Sequence, residues 1–226
     1  MIDSDAVARA LADVRARIDA HSAGRPVTVL AVTKGFGPEA VRAAHAAGLM
    51  AVGENYAQEL IAKHDALDGA GEWHFIGRLQ RNKVKALATR VDVWQSVDRV
   101  ELLDEIARRA PGARVMVQVA LADEPQKGGA DPSVVPELVD RGRSAGLEVV
   151  GLMGVGPAGP PEAARPGFAM LVALADRLGL PERSIGMTHD LEVAVEEGST
   201  MVRVGSALFG DRPPRPGRSP LDGADG

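Results

Sequence analysis

Eight short apolar segments of strand type recur along this 226-residue chain, and each is parted from the next by a stretch of helical periodicity, never by a tight hairpin. Connections of that length suit parallel strands, which need long crossovers. The strand segments fall at 29–32, 49–52, 73–76, 91–95, 114–121, 147–153, 184–187 and 201–204. Between them, one helix opens on Gly37-Pro38-Glu39 and stops at Gly48, another carries Tyr56, Leu60, Ile61 and Leu67, and others span 80–88, 99–109, 132–145, 168–178 and 191–197. Ahead of them all, Val7, Leu11, Val14 and Ile18 describe an amphipathic helix capped by Asp3 or Ser4 and closed by Gly24 and Pro26. This alternation predicts an α/β fold, a single (β/α)8 TIM barrel with an extra N-terminal helix over residues 1–210; a doubly wound open sheet is the alternative. From Asp211 the text turns rich in proline and glycine, and 211–226 is expected to be a disordered tail.

Hydrophobic residues make up 45% of the chain but aromatics only 3%, so the core must be built from Ala, Val, Leu, Ile and Met. A formal charge of -5 argues against a general nucleic-acid binder, and the basic run Arg78, Arg81, Lys83 and Lys85 reads as the solvated face of a helix. The absence of cysteine excludes disulfides, thiolate catalysis and cysteine metal sites, and the histidines show no paired metal-ligand spacing. No membrane span is visible. Met1-Ile2-Asp3-Ser4-Asp5 lacks the basic start and apolar core of a secretory leader, so a cytoplasmic location is expected.

The first strand segment runs through Val29-Leu30-Ala31-Val32-Thr33 into Lys34-Gly35. A strand that apolar is buried on both faces, which stands Lys34 at the mouth of a core. Desolvation disfavours an ammonium and lowers its pKa, and a neutral lysine attacks carbonyls to form a Schiff base. The plainer reading is a strand-end lysine that lays its stem along the core and keeps its charge in water. A barrel favours the chemical reading, because barrel active sites lie at the C-terminal ends of the strands.

Strand seven leads at that same face into Gly186-Met187-Thr188-His189-Asp190, and strand eight into Gly205-Ser206. Glycine permits close backbone approach, while hydroxyls and free N–H groups donate to phosphate oxygens, so Thr188, Gly205 and Ser206 are candidates for a phosphate cradle. Each also has an ordinary explanation: Thr188 or Asp190 as a helix cap, Gly205-Ser206 as the start of a terminal turn. Strand alternation places Met201 and Arg203 on one face and Val202 and Val204 on the other, so an inward Arg203 needs an acceptor, either a structural one or a ligand atom such as a pyridine nitrogen. A Schiff-base lysine, a phosphate cradle and a ring partner together suggest pyridoxal 5′-phosphate.

Ala31-Val32-Thr33-Lys34, Gly53-Glu54-Asn55-Tyr56, the run from Trp73 to Lys83, Gly186-Met187-Thr188-His189-Asp190 and the run from Gly198 to Gly205 closely resemble the pyridoxal phosphate homeostasis protein family. The resemblance covers about Val27 to Gly210. It implies a barrel like the N-terminal domain of alanine racemase, with Lys34 carrying pyridoxal phosphate (PLP) as a Schiff base, Thr188, Gly205 and Ser206 at the phosphate, and Arg203 facing the pyridine nitrogen. It also puts Asn55 and Met153 at the pocket wall. Two departures stand out: Thr188 occupies a position where the family usually has serine, and Gln126 replaces the serine of a Ser-Lys-x-Gly segment, beside Lys127.

The resemblance further implies PLP homeostasis, buffering the cofactor or passing it to apo-enzymes, with no catalytic residue and no robust turnover. Racemases of this fold draw a second base, a tyrosine, from a separate β domain, which this chain is expected to lack, and its sole tyrosine is Tyr56. A monomer is expected, with no metal, nucleic-acid or membrane partner. The alternatives are a single-domain PLP-dependent amino-acid racemase using Lys34 and Lys127 as its two bases, and a cofactor-free Schiff-base aldolase.

Overall fold

The structure is a computed structural model and describes residues 2–122 and 124–212. A first helix, α1 (Ser4–His21), is capped by Asp3, whose carboxylate accepts from the Asp5 N–H, and it buries Val7, Leu11, Val14 and Ile18. Eight units follow: β1 (Thr28–Val32) and α2 (Pro38–Ala46), β2 (Ala51–Glu54) and α3 (Ala57–Asp65), β3 (Glu72–Phe75) and α4 (Arg81–Leu87), β4 (Val93–Val97) and α5 (Val100–Arg109). The second half comprises β5 (Arg114–Val119) and α6 (Val135–Ser144), β6 (Glu148–Gly154) and α7 (Arg165–Arg177), β7 (Glu182–Ser184) and α8 (Leu191–Glu197), then β8 (Met201–Val204) and a single turn, α9 (Ser206–Phe209). The strands form a closed barrel in chain order, all parallel. Pairing of β1 with β8, Leu30 opposite Arg203, closes the ring and removes the open-sheet alternative.

Side chains alternate across this sheet as a barrel requires. Leu30, Ala51, Val93, Met116, Met153 and Met201 pack together inside, while Val29, Ala31, Val202 and Val204 join the larger core between sheet and helices. Strand edges differ from the sequence reading where a backbone bond diverts the chain. The Leu49 N–H returns to the Ala44 carbonyl and the Val91 N–H to Leu87, so β2 begins at Ala51 and β4 at Val93, not at 49 and 91. The Ala120 N–H donates to Ala130, which ends β5 at Val119. The largest difference is β7, expected at 184–187 and found at Glu182–Ser184. Gly186 sits at φ +94 with Ala194 Cβ only 2.5 Å from where its own Cβ would be, so the chain has already left the sheet for a turn.

Among the described residues no helix is long and apolar enough to cross a membrane. Asp211 and Arg212 are described; the rest of the expected tail, 213–226, lies outside the described residues.

Candidate cofactor-binding site

The strand ends converge on a cavity of about 450 Å³, lined by Lys34, Thr188, Arg203, Gly205 and Ser206 together with Phe36, His189 and Arg212. An adjoining lobe of about 490 Å³ is lined by Asn55 and Met153 and shares Lys34 and Arg203 with the first. All seven residues singled out in the sequence therefore meet at one face of the barrel.

Lys34 follows β1 by two residues and stands half-buried in the wall. Its amine is held below the ordinary lysine range, first by burial, then by the charges of Arg212 and Arg203, with Glu54 and Glu59 opposing. Behind it lies a buried polar cluster. The Thr33 hydroxyl donates to Glu54 Oε1 at 2.5 Å, and Lys63 Nζ donates to the same oxygen at 2.6 Å and to the Thr33 carbonyl at 2.8 Å. Glu59 Oε2 accepts from the Gly35 N–H at 2.7 Å and from Lys63 at 3.3 Å. Glu54 is wholly buried and Lys63 nearly so, and burial pushes the Glu54 carboxyl up against the opposing pull of Lys63. The backbone on both sides of Lys34 is thus tied to α3 and β2.

Opposite, the turn from Gly186 to Asp190 is closed by the Met187 N–H donating to Asp190 Oδ1 at 2.6 Å, so the Asp190 side chain serves the turn instead of capping α8. Arg17 of α1 reaches across to donate to the Thr188 carbonyl at 3.0 Å while pairing with Glu192 at 2.6 Å. Ser206 Oγ lies 3.3 Å from Thr188 Oγ1. Beside the pair, the bare Cα of Gly205 is fitted to the Val32 carbonyl, 3.1 Å from where a Cβ would stand. Phe36 packs against Phe209 of α9, ring centroids 5.5 Å apart and tilted by 52°.

Arg203 is nearly fully buried and points inward as alternation requires. Its guanidinium donates to the Ser184 carbonyl and to Ser184 Oγ at 2.9 Å through one nitrogen, and to the Gly154 carbonyl at 2.7 Å through the other. Burial pulls it down to about 10, partly offset by Asp190, so it stays cationic at neutral pH. The chain of donors continues from Ser184 Oγ to Gln95 Oε1 at 2.7 Å, and Gln95 Nε2 lies 2.6 Å from His74 Nδ1. A hydroxyl pair, a bare glycine, a depressed amine and a fixed cation around one cavity fit a phosphorylated aldehyde. Asn55 Oδ1, buried without a partner, adds an acceptor awaiting a donor.

The family model described as alanine racemase, N-terminal domain, matches residues 2–213. A pyridoxal phosphate homeostasis protein of Aquifex aeolicus is 42% identical over 197 residues, covering 81% of this chain and 86% of that protein. This chain belongs to the pyridoxal phosphate homeostasis protein family. A relative of the same name from Pseudomonas aeruginosa is 40% identical over 220 residues, covering 91% and 96%. PipY of Synechococcus elongatus, solved with PLP bound, superposes with a TM-score of 0.78 at 31% identity, over 90% of this chain and 100% of PipY.

Several residues around this family member's cavity escaped the sequence reading. Lys63, Gln95 and Ser184 hold the site from outside it, and Arg212, assigned to the tail, stands at its mouth. Gln95 and Ser184 did leave a signal, a polar residue at the edge of a strand segment, Gln95 closing 91–95 and Ser184 opening 184–187. Lys63 left none. Lys127 lines both lobes, but its amine is already held by Glu124 at 2.9 Å and the Gly156 carbonyl at 2.8 Å.

Proposed function

We propose that this chain binds PLP reversibly through a Schiff base on Lys34 and serves PLP homeostasis, buffering the cofactor or handing it to apo-enzymes, without robust turnover. The observation that carries the proposal is the cavity in which the depressed Lys34 amine, the Thr188 and Ser206 hydroxyls, Gly205 and Arg203 meet. The names of the Aquifex and Pseudomonas relatives and the PLP bound to PipY support the same ligand. PLP supplies a reactive aldehyde and an electron-withdrawing ring. Thr188, Gly205 and Ser206 would hold its phosphate, the Lys34 amine would condense with its aldehyde with loss of water, and Arg203 would serve the ring nitrogen, with Asn55 and Met153 on the wall.

Arg203 is also the argument against strong catalysis. A cation that donates to the ring nitrogen keeps that nitrogen unprotonated and weakens the ring as an electron sink. Lys127, the second base of a racemase reading, is occupied by Glu124 and a carbonyl. The protein acts in the cytoplasm as a monomer, with apo-enzymes as transient partners.

The test is absorption of the purified protein with added PLP, then borohydride reduction and peptide mapping. A visible band with the adduct on Lys34, lost in Lys34→Ala, is expected; an adduct that persists in Lys34→Ala overturns the assignment. Loss of optical activity from L-alanine at catalytic rates would replace homeostasis with racemisation.

A further inference from the structure

The lobe beside Lys34 has a charge the proposed function does not use. Among the described residues its lining includes Lys34, Arg78, Lys83, Lys127 and Arg203 and not one carboxylate, on a chain whose formal charge is -5. Lys127 is neutralised by Glu124, and Arg203 is committed to Ser184 and Gly154. With Lys34 assigned to PLP, Arg78 and Lys83 remain. Among the described residues neither side chain makes an ion pair or hydrogen bond, and Lys83 is half-buried. The basic run that reads as one solvated helix face therefore divides: Arg81 and Lys85 lie outside the cleft, whereas Arg78, itself exposed, and the half-buried Lys83 line it. A cleft of one sign focuses its field on an anion.

Two features choose between anions. The lobe offers two separate cations, Arg78 before α4 and Lys83 within its first turn, and two cations on different side chains suit two carboxylates better than one compact phosphate. In the same lobe Asn55 Oδ1 is a buried acceptor without a donor, which calls for an N–H on the ligand. We propose that this lobe is a binding subsite for a small dicarboxylic amino acid, its carboxylates on Arg78 and Lys83 and its ammonium toward Asn55. The subsite goes beyond the proposed function and stands without bound PLP, although it opens directly onto Lys34.

Calorimetric titration of the full chain with L-glutamate, glutarate, L-alanine and inorganic phosphate tests it. L-Glutamate is expected to bind, with L-alanine about tenfold weaker or more, as the loss of one charged contact implies. Arg78→Ala and Lys83→Ala each weaken L-glutamate by about tenfold, Arg78→Lys restores part of it, and Asn55→Leu removes the advantage of L-glutamate over glutarate. No heat with L-glutamate, affinity indifferent to both cation variants, or phosphate bound in the lobe with L-glutamate excluded overturns the inference. PLP is titrated into the same wild-type preparation. Capture of PLP without any response to L-glutamate overturns the subsite alone, whereas binding of L-glutamate without PLP overturns the proposed function and leaves the subsite standing.

Discussion

Glu54 and Lys63 are buried together under the Lys34 turn, paired at 2.6 Å, with Glu59 a second and more exposed partner of Lys63 at 3.3 Å. Removing one member of such a pair strands the other, so Lys63→Met is expected to cost about 3–5 kcal/mol in denaturant unfolding, and Glu54→Gln in the same chain to recover part of it. A second expectation concerns Arg212. Its charge helps to hold the Lys34 amine below the ordinary range, so Arg212→Ala lets that pKa rise. The pH midpoint for adduct formation, followed by visible absorption, moves upward, and capture at neutral pH slows. Glu54 stands in the sequence only as part of the Gly53-Glu54-Asn55-Tyr56 motif, beyond a strand read as ending at 52, so its burial is not legible there. Its partner is not legible either: Lys63 neighbours Leu60 and Ile61 on a short amphipathic helix and reads as solvated until the packing of α3 on β2 turns it inward.

The turn after β7 shows the same limit for an element. Thr188 is recognisable from its motif, but the sequence reading extends the strand through 187, because Ile185 and Met187 look like strand residues and periodicity cannot register a single left-handed glycine. Gly186→Ala, at φ +94 and against Ala194, is expected to destabilise the protein by about 1–3 kcal/mol and to weaken PLP binding by displacing Thr188. The interior strands offer a test with a spectroscopic readout. Ser184→Ala takes the hydroxyl acceptor from Arg203 and the bridge to Gln95 but leaves the guanidinium on the Ser184 and Gly154 carbonyls, so its polar surroundings change while the fold stays intact. The visible band of bound PLP is expected to shift with little change in melting temperature, whereas a purely structural Ser184 would leave the band in place.

For the whole molecule, eight apolar segments without hairpins were enough to read a barrel, because parallel pairing and chain length leave few other closures. The convergence of Lys34, Thr188, Arg203, Gly205 and Ser206 also followed from that closure. The two lobes, the acid-free lining of the second and the reach of Arg212 did not, since each depends on side-chain directions across units distant in sequence. Closure has one more consequence. The barrel's seam joins the first strand to the last, so the amine and its facing arginine become neighbours only after residue 204 has been synthesised and docked. Long-range pairing of this kind forms late in folding. A nascent chain stalled before β8 would carry every lysine of the finished protein and still take up no PLP, which makes the cofactor's colour a clock for the completion of its own container.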